Sequence, residues 1–335
     1  MPSFPSDPVL NAVHARLRQW NVRGPLLVAV SGGADSLALL RCCQLLQDHL
    51  GLIVHAAHFD HRLRAESHLD SDWVQARCRQ WNIPVHCGCR DAASRDTHIE
   101  EDARHDRYDF LKQTAREQHC AWLATGHTAN DQAETVLHHV LRGTGLAGLS
   151  GMPESRPLSP EVQLIRPLLD VPRETLQQWL QTQHIDWRDD PSNQNESLTR
   201  NWLRHRLLPM VRDRINPRVD TALHQLASHA RDSQIAINWA ADQLQSHVTF
   251  EDSEHASTMT IDCAPLRNVP SSILTAFFTQ LWINAEWPRQ RMSTKHWQAL
   301  TQLVQHTGHP TGHSLPGSIQ AEWYRGQLTL RRLTE

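Results

Sequence analysis

The stretch Ser31-Gly32-Gly33-Ala34-Asp35-Ser36 carries the densest chemical information in the chain. It follows the apolar run Leu26-Leu27-Val28-Ala29-Val30 and precedes a helical pattern reaching about Leu50, so it reads as a turn from strand to helix. Two adjacent glycines let the backbone turn tightly and approach a ligand closely. Successive N–H groups at a helix N-terminus make a nest for an anion, and the hydroxyls of Ser31 and Ser36 add donors. Asp35 is the odd member. A carboxylate repels phosphate unless a cation lies between them, which predicts that Asp35 meets Mg²⁺. A Walker loop, G-x-x-x-x-G-K-[ST], is absent and the two lysines are distant, Lys112 and Lys295, which argues against ordinary γ-phosphate transfer. A ligand-free serine–glycine turn is the bland alternative.

A second constellation lies in Ala124-Thr125-Gly126-His127-Thr128-Ala129-Asn130-Asp131-Gln132-Ala133-Glu134-Thr135. His127, Asp131, Glu134 and His138 are spaced i, i+4, i+7 and i+11, which puts them on one helical face. His127 and the helix start can face phosphate, and Asp131 with Glu134 offers two carboxylates suited to an ammonium group. The competing reading is a solvated acidic helix start favoured by the macrodipole. Arg104 and Arg107 stand three apart on a helical stretch and could be a surface pair bonded to Glu100 or Asp106. Between residues 200 and 218, Arg200, Arg204, Arg206, Arg212, Arg214 and Arg218 oppose only Asp213. That is either a face for a nucleic-acid backbone or a solvated face.

The elements that must position these groups alternate. Strands are expected at 26–30, 52–57, 83–87, 121–125 and 162–168, with helices at 65–81, 98–118, 128–142 and 172–183 between and after them. Such alternation implies βαβ units and a doubly wound parallel sheet that binds ligands beyond its carboxyl ends. Residues 150–161, with Pro153, Pro157 and Pro160, read as an exposed loop. After Pro217 the pattern becomes mainly helical, with one long helix reaching about residue 246 and others near 271–284 and 293–305. Residues 319–330 read as a β-hairpin with alternating faces. Two domains are expected, 1–215 and 216–335.

Composition narrows the setting. Among 335 residues, 39% are hydrophobic and no run approaches a membrane span. The first residues hold neither a basic nor an apolar leader segment, so no signal peptide is expected. Seven scattered cysteines with no C-x-x-C point to a reducing cytoplasm and away from a disulfide framework or cysteine metal site. Net charge is −3, so composition alone does not suggest nucleic acid.

The S-G-G-x-D-S loop resembles that of the PP-loop ATP pyrophosphatases, which cleave ATP between the α- and β-phosphates and adenylate a carbonyl-like oxygen. Four further stretches resemble one branch, the tRNA(Ile)-lysidine synthetases. They are Phe59-Asp60-His61-Arg62-Leu63-Arg64; Ala103-Arg104-His105-Asp106-Arg107-Tyr108; the run from Ala124 through Leu141-Arg142-Gly143-Thr144-Gly145-Leu146; and Arg188-Asp189-Asp190-Pro191-Ser192-Asn193 with Arg200-Asn201 and Arg204. Phe59 departs from the pattern, which usually has a small aliphatic residue there. The likeness is strong over residues 24–215 and looser to the hairpin.

The resemblance implies a PP-loop, adenine nucleotide α-hydrolase-like fold and a ligase forming a C–N bond. Its substrates would be ATP with Mg²⁺, L-lysine and the isoleucine tRNA with a CAU anticodon. The wobble cytidine would be adenylated on O2, releasing pyrophosphate, and then attacked at C2 by lysine, giving lysidine and AMP. The implied assignments are Ser31, Gly32, Gly33, Ala34, Asp35, Ser36 and His61 for ATP; Asp35 for the metal; Asp131 and Glu134 for lysine; and Arg200, Arg204 and Arg206 for tRNA. Asp35, Arg104, His127, Asp131 and Glu134 would be catalytic. No membrane partner is expected, and homodimerisation stays open. A further small C-terminal domain, common in the family, is expected to be absent. A tRNA thiolase would need a C-x-x-C pair, an amidotransferase-type synthetase an N-terminal cysteine nucleophile, and an inactive tRNA-binding relative would release no pyrophosphate.

Overall fold

A computed structural model describes residues 7–62, 66–90, 99–188, 199–253 and 256–333, and it divides into two compact units, residues 1–228 and 229–335. Residues 216–228, expected in the second domain, thus fall with the first unit.

The first unit opens with α1 (Pro8–Gln19), a helix not anticipated from the sequence. Asp7 caps it by accepting from Leu10 N at 2.9 Å, and Pro8 starts it with the φ a first turn needs. Then follow β1 (Gly24–Ala29), α2 (Ala34–Leu50), β2 (Leu52–Asp60), α3 (Ser67–Gln80), β3 (Val85–Cys89), α4 (Ile99–Glu117), β4 (Trp122–Thr125), α5 (Ala129–Leu141) and α6 (Leu146–Leu149). β5 (Ser155–Pro157), β6 (Gln163–Ile165), α7 (Arg173–Thr182), α8 (Thr199–Trp202), a five-residue π-helical turn (Leu203–Leu207) and α9 (Leu208–Arg214) complete it. The long α10 (Val219–Asp242) begins in this unit and ends in the second.

The six strands order as β3-β2-β1-β4-β6-β5, parallel except for β5 against β6. The chain steps outward from β1 to β3 and then restarts on the other side at β4. The switch therefore falls between β1 and β4, where a doubly wound sheet opens a crevice. α2 and α7 cover one sheet face in a core containing Leu37, Leu40, Val28 and Leu176, and α4 covers the other through Leu111 and Ala115 against Leu27, Ala57 and Leu123. Two expectations are corrected at the sheet edge. The fifth strand is three residues rather than 162–168, because Pro167 ends the ladder, and 155–157 of the expected loop pairs with it as β5.

In the second unit the expected hairpin is β10 (Ile319–Tyr324) and β11 (Gln327–Leu333), and β10 alternates buried and exposed residues as its sequence predicts. It is part of a larger sheet. β7 (Val248–Ser253), β8 (Ala256–Asp262) and β9 (Thr311–Leu315) join it in the antiparallel order β7-β8-β11-β10-β9. α11 (Ser271–Asn284) and α12 (Thr294–Gln305) supply Phe277, Phe278, Trp282 and Leu300 to a core shared with Ile319, Ala321 and Leu330. Among the described residues no helix is long and apolar enough to cross a membrane.

Candidate active site

The turn between β1 and α2 is built largely from its own polar groups. Gly32 has φ +92°, a conformation closed to most side chains, and its carbonyl accepts from Arg188 N at 3.0 Å. Ser36 Oγ donates to Gly33 O at 3.0 Å and accepts from Ser31 N at 3.2 Å, while Gly33 N donates to Ser31 Oγ at 3.3 Å. Gly33 is the N-cap of α2 and offers no side chain to the first turn, so those N–H groups keep their capacity for an anion. Gly126, at the end of β4, closes the far side. A Cβ there would stand 2.9 Å from both Ser36 N and Ser36 Cα, so only glycine lets β4 approach the start of α2.

Asp35 points from this turn towards α7. Its Oδ2 accepts from Arg173 Nε at 2.8 Å, and its Oδ1 is buried with no hydrogen-bond partner. Burial raises the Asp35 pKa, and Arg173 only partly offsets that. Arg173 also reaches both oxygens of Asp131 at 3.3 Å, so one guanidinium spans the loop carboxylate and the acidic helix. Its place is fixed by Arg173 N donating to Asn130 Oδ1 at 2.8 Å and by Ala129 N donating to Val171 O at 3.1 Å.

Asp131 sits in the first turn of α5 and closes a capping box. Its Oδ2 accepts from Thr128 N and Thr128 Oγ1, each at 2.9 Å. The solvated-acid alternative does not describe this helix, because Asp131 is 8% exposed and Glu134 1%. Burial opposes ionisation of Asp131, but Arg173, Arg200 and His127 outweigh it and bring its pKa down to about 2. Arg204 grips Glu134 with two bonds, Nε to Oε1 at 2.6 Å and Nη2 to Oε2 at 2.9 Å, and reaches Asp131 Oδ1 at 3.1 Å. Arg200 Nε adds a bond to Glu134 Oε2 at 3.2 Å.

These contacts correct the expected outward basic face. Arg200 and Arg204 turn inward because buried carboxylates need compensation more than an exposed arginine does. Arg204 rides on the π-helical turn, and Arg206 is the most exposed of the three. His127 precedes the helix, since Thr128 takes the cap, so the shared helical face begins at Asp131. His127 Nδ1 lies 2.9 Å from Thr125 Oγ1. Burial lowers its pKa to about 3; Asp131 opposes this, and Arg166, Arg200 and Arg107 reinforce it, so the ring is neutral. His61, at the end of β2, stacks edge-on to Phe59 at 5.1 Å, and its pKa falls to about 4 through burial and Arg107. Arg104 lies over Tyr108 rather than beside the acid pair. Leu63, Arg64 and the turn at Asp189–Asn193 fall outside the described residues. Arg173 was not foreseen. The available signal was a cation at the first position of a helix, where the macrodipole disfavours it.

Six side chains thus form one network in which three carboxylates, Asp35, Asp131 and Glu134, meet three guanidiniums, Arg173, Arg200 and Arg204. The sequence matches the PP-loop domain family over residues 10–211. It is 33% identical over 302 residues to the tRNA(Ile)-lysidine synthase of Gloeobacter violaceus, covering 89% of each chain. The chain belongs to the tRNA(Ile)-lysidine synthase family. The Rhodopirellula baltica member is 31% identical over 315 residues, with 83% of this chain and 79% of that one covered. The Thermotoga maritima member is 39% identical over 207 residues, and there this chain spans about half the relative's length, 49%. Among solved structures, the U34-tRNA thiolase NcsA from Methanococcus maripaludis shares the fold, with a TM-score of 0.54 at 16% identity over 66% of this chain and 76% of that one.

Proposed function

We propose that this lysidine synthase family member ligates L-lysine to C2 of the wobble cytidine in the CAU anticodon of an isoleucine tRNA. ATP first adenylates the cytidine O2 and releases pyrophosphate; the lysine amine then displaces AMP. The observation that carries this reading is Arg173, which ties Asp35 of the phosphate turn to Asp131 of the acid pair and makes them parts of one site.

In this reading the N-terminus of α2 and the turn at residues 31–36 receive the phosphates. Among the described residues no cluster of three or more His, Cys, Asp or Glu could hold a metal. Mg²⁺ needs no such cluster, because it takes one or two carboxylates and completes its shell with water and phosphate oxygens. The unpartnered Asp35 Oδ1 fits that role. When bound, Mg²⁺ would offset the negative charge of the phosphates beside Asp35.

Asp131 and Glu134 receive the lysine side chain. Their charges are already matched by arginines, so they can orient an amine by hydrogen bonds without holding it strongly as the cation. That matters because only the neutral amine attacks, and free lysine is about 0.1% neutral near pH 7.4 given a reference pKa of about 10.4. In the same reading neutral His127, held by Thr125, meets phosphate without adding charge. The test is to incubate the protein with ATP, labelled lysine and candidate tRNAs. Label on isoleucine tRNA, with AMP and pyrophosphate as products, is expected. ADP as product, or no label on any tRNA, overturns the proposal.

A further inference from the structure

Four arginines gather around one ring outside the network just described. The Cζ atoms of Arg104, Arg107 and Arg156 lie 5.1, 5.5 and 5.4 Å from the centroid of Tyr108, and Arg166 adds to the same field. Arg104 and Arg107 come from the first three turns of α4, Arg156 from β5, and Arg166 directly follows the last residue of β6. Among the described residues none of the four forms an ion pair. Arg166 is 4% exposed. It donates from Nη1 to Pro153 O at 2.6 Å, and its Nε is buried with no acceptor.

Such an arrangement is unfavourable for the empty protein. Like charges repel, and burial penalises two of the four as well: it lowers the pKa of both Arg107 and Arg166, and the neighbouring arginines lower it further. Burial alone would raise the Tyr108 pKa, yet the four arginines pull it below the ordinary value. Stacking on one tyrosine offsets little of this, because a ring has two faces and three guanidiniums share them. A guanidinium cluster with no ion-pair partner among the described residues, set around an aromatic plate, is suited to a doubly charged or bridging oxyanion, which arginine forks bind in bidentate fashion. The cluster borders the carboxyl end of the sheet, since Arg166 follows Ile165, which pairs with Ala124 of β4 just ahead of His127; Arg166 and Arg107 accordingly add to the charge felt by His127.

We propose that Arg104, Arg107, Arg156 and Arg166 form a binding site for a phosphate group, beside the nest at residues 31–36 and separate from it. Two sources share that chemistry: a backbone phosphodiester of the RNA whose base enters the cleft, and the pyrophosphate leaving ATP. The choice of tRNA as the RNA rests on the proposed function. Binding is measured without turnover, so a chain that makes no lysidine could still pass or fail this test.

The experiment compares the wild type with Arg156→Gln, Arg107→Gln and the charge-retaining Arg156→Lys. It reads the affinity for an isoleucine tRNA transcript from about 50 to 200 mM salt, and separately the affinity for inorganic pyrophosphate. If the RNA backbone occupies the site, each Gln variant lowers the slope of log affinity against log salt by about 0.7–0.9, and pyrophosphate binding is unchanged. If pyrophosphate occupies it, its affinity falls about tenfold, a step of about 1.4 kcal/mol, and the RNA slope stays put. Arg156→Lys recovers most of the loss in either case. Arg166→Gln removes the buried member and is informative only if it folds; Arg156, on the edge hairpin, decides the matter otherwise. Folded Arg156→Gln and Arg107→Gln proteins that bind both ligands with wild-type affinity and slope overturn the proposal.

Discussion

Removing the guanidinium that links the phosphate turn to the acid pair should reverse the sign of a second substitution. Asp35 is disfavoured as an anion by burial, and its Oδ2 depends on Arg173 at 2.8 Å. Two unit charges about 4 Å apart interact by about 4 kcal/mol at an effective dielectric of 20. The side chains are 17% and 23% exposed, so about half of that, roughly 2 kcal/mol, is a reasonable coupling after screening. Arg173→Met removes this and a share of the Asp131 contact, and should cost about 3 kcal/mol. Asp35→Asn in the wild type exchanges a lost ion pair for a relieved desolvation cost, and should destabilise by at most about 1 kcal/mol. In the Arg173→Met background nothing offsets the buried carboxylate, so Asp35→Asn should stabilise by about 1–2 kcal/mol. The four proteins form a double-mutant cycle readable by urea unfolding near pH 7.5, with each transition fitted separately. A raised acid pKa makes the cost appear as pH rises through it, so the coupling should shrink as pH falls through the raised Asp35 value. Additivity within about 0.5 kcal/mol would refute the account of Asp35 as a strained anion held by Arg173.

Other consequences are direct. Gly126→Ala places a Cβ against the backbone of Ser36 and should cost about 1–3 kcal/mol, with weaker ATP binding; a melting temperature and nucleotide affinity equal to wild type would show that β4 can retreat freely. Glu134→Gln should leave pyrophosphate release largely intact while raising the lysine requirement or stopping the second step, and normal lysidine formation at the normal lysine KM would remove Glu134 from the lysine site. His127 is neutral in the fold down to about pH 3 but takes a proton in the unfolded chain below its ordinary 6.5, so its contribution is complete above pH 6.5 and is lost as pH falls towards 3. Asp131 adds a loss between 3.8 and about 2. His127→Gln should therefore flatten the stability profile between pH 6.5 and 4 by up to about 1.4 kcal/mol per pH unit, and an unchanged urea-midpoint slope there would contradict it.

The phosphate turn is legible in the sequence because everything it needs is local: an apolar strand, two glycines, an acid and a helix start within about a dozen residues. The parallel sheet is legible for a related reason, since alternating strand and helix patterns leave few topologies open. The long-range pairs are not. Nothing near Arg200 or Arg204 says that they turn inward, because the cause is the burial of Glu134 some seventy positions earlier. Arg166 is hidden similarly; a charged residue closing an apolar strand can face solvent or a cluster equally well. Two misses had local signals. Asp7-Pro8 is a cap and first-turn pair that starts α1, and Ser257 to Asp262 alternates as β8 does.

The matching of acids and arginines also has a tempo. The carboxylates of α5 precede their partners on and after α8 by 66 to 73 residues. A ribosome adding roughly 5–20 residues each second exposes one set about 3–15 s before the other exists. During that interval the nascent chain can pair β1 with β2 and β4, but Glu134 has neither of its guanidiniums. A nascent sheet therefore has reason to keep α5 loosely docked until residue 204 emerges, so the seating of that helix waits on an electrostatic closure as well as on hydrophobic burial.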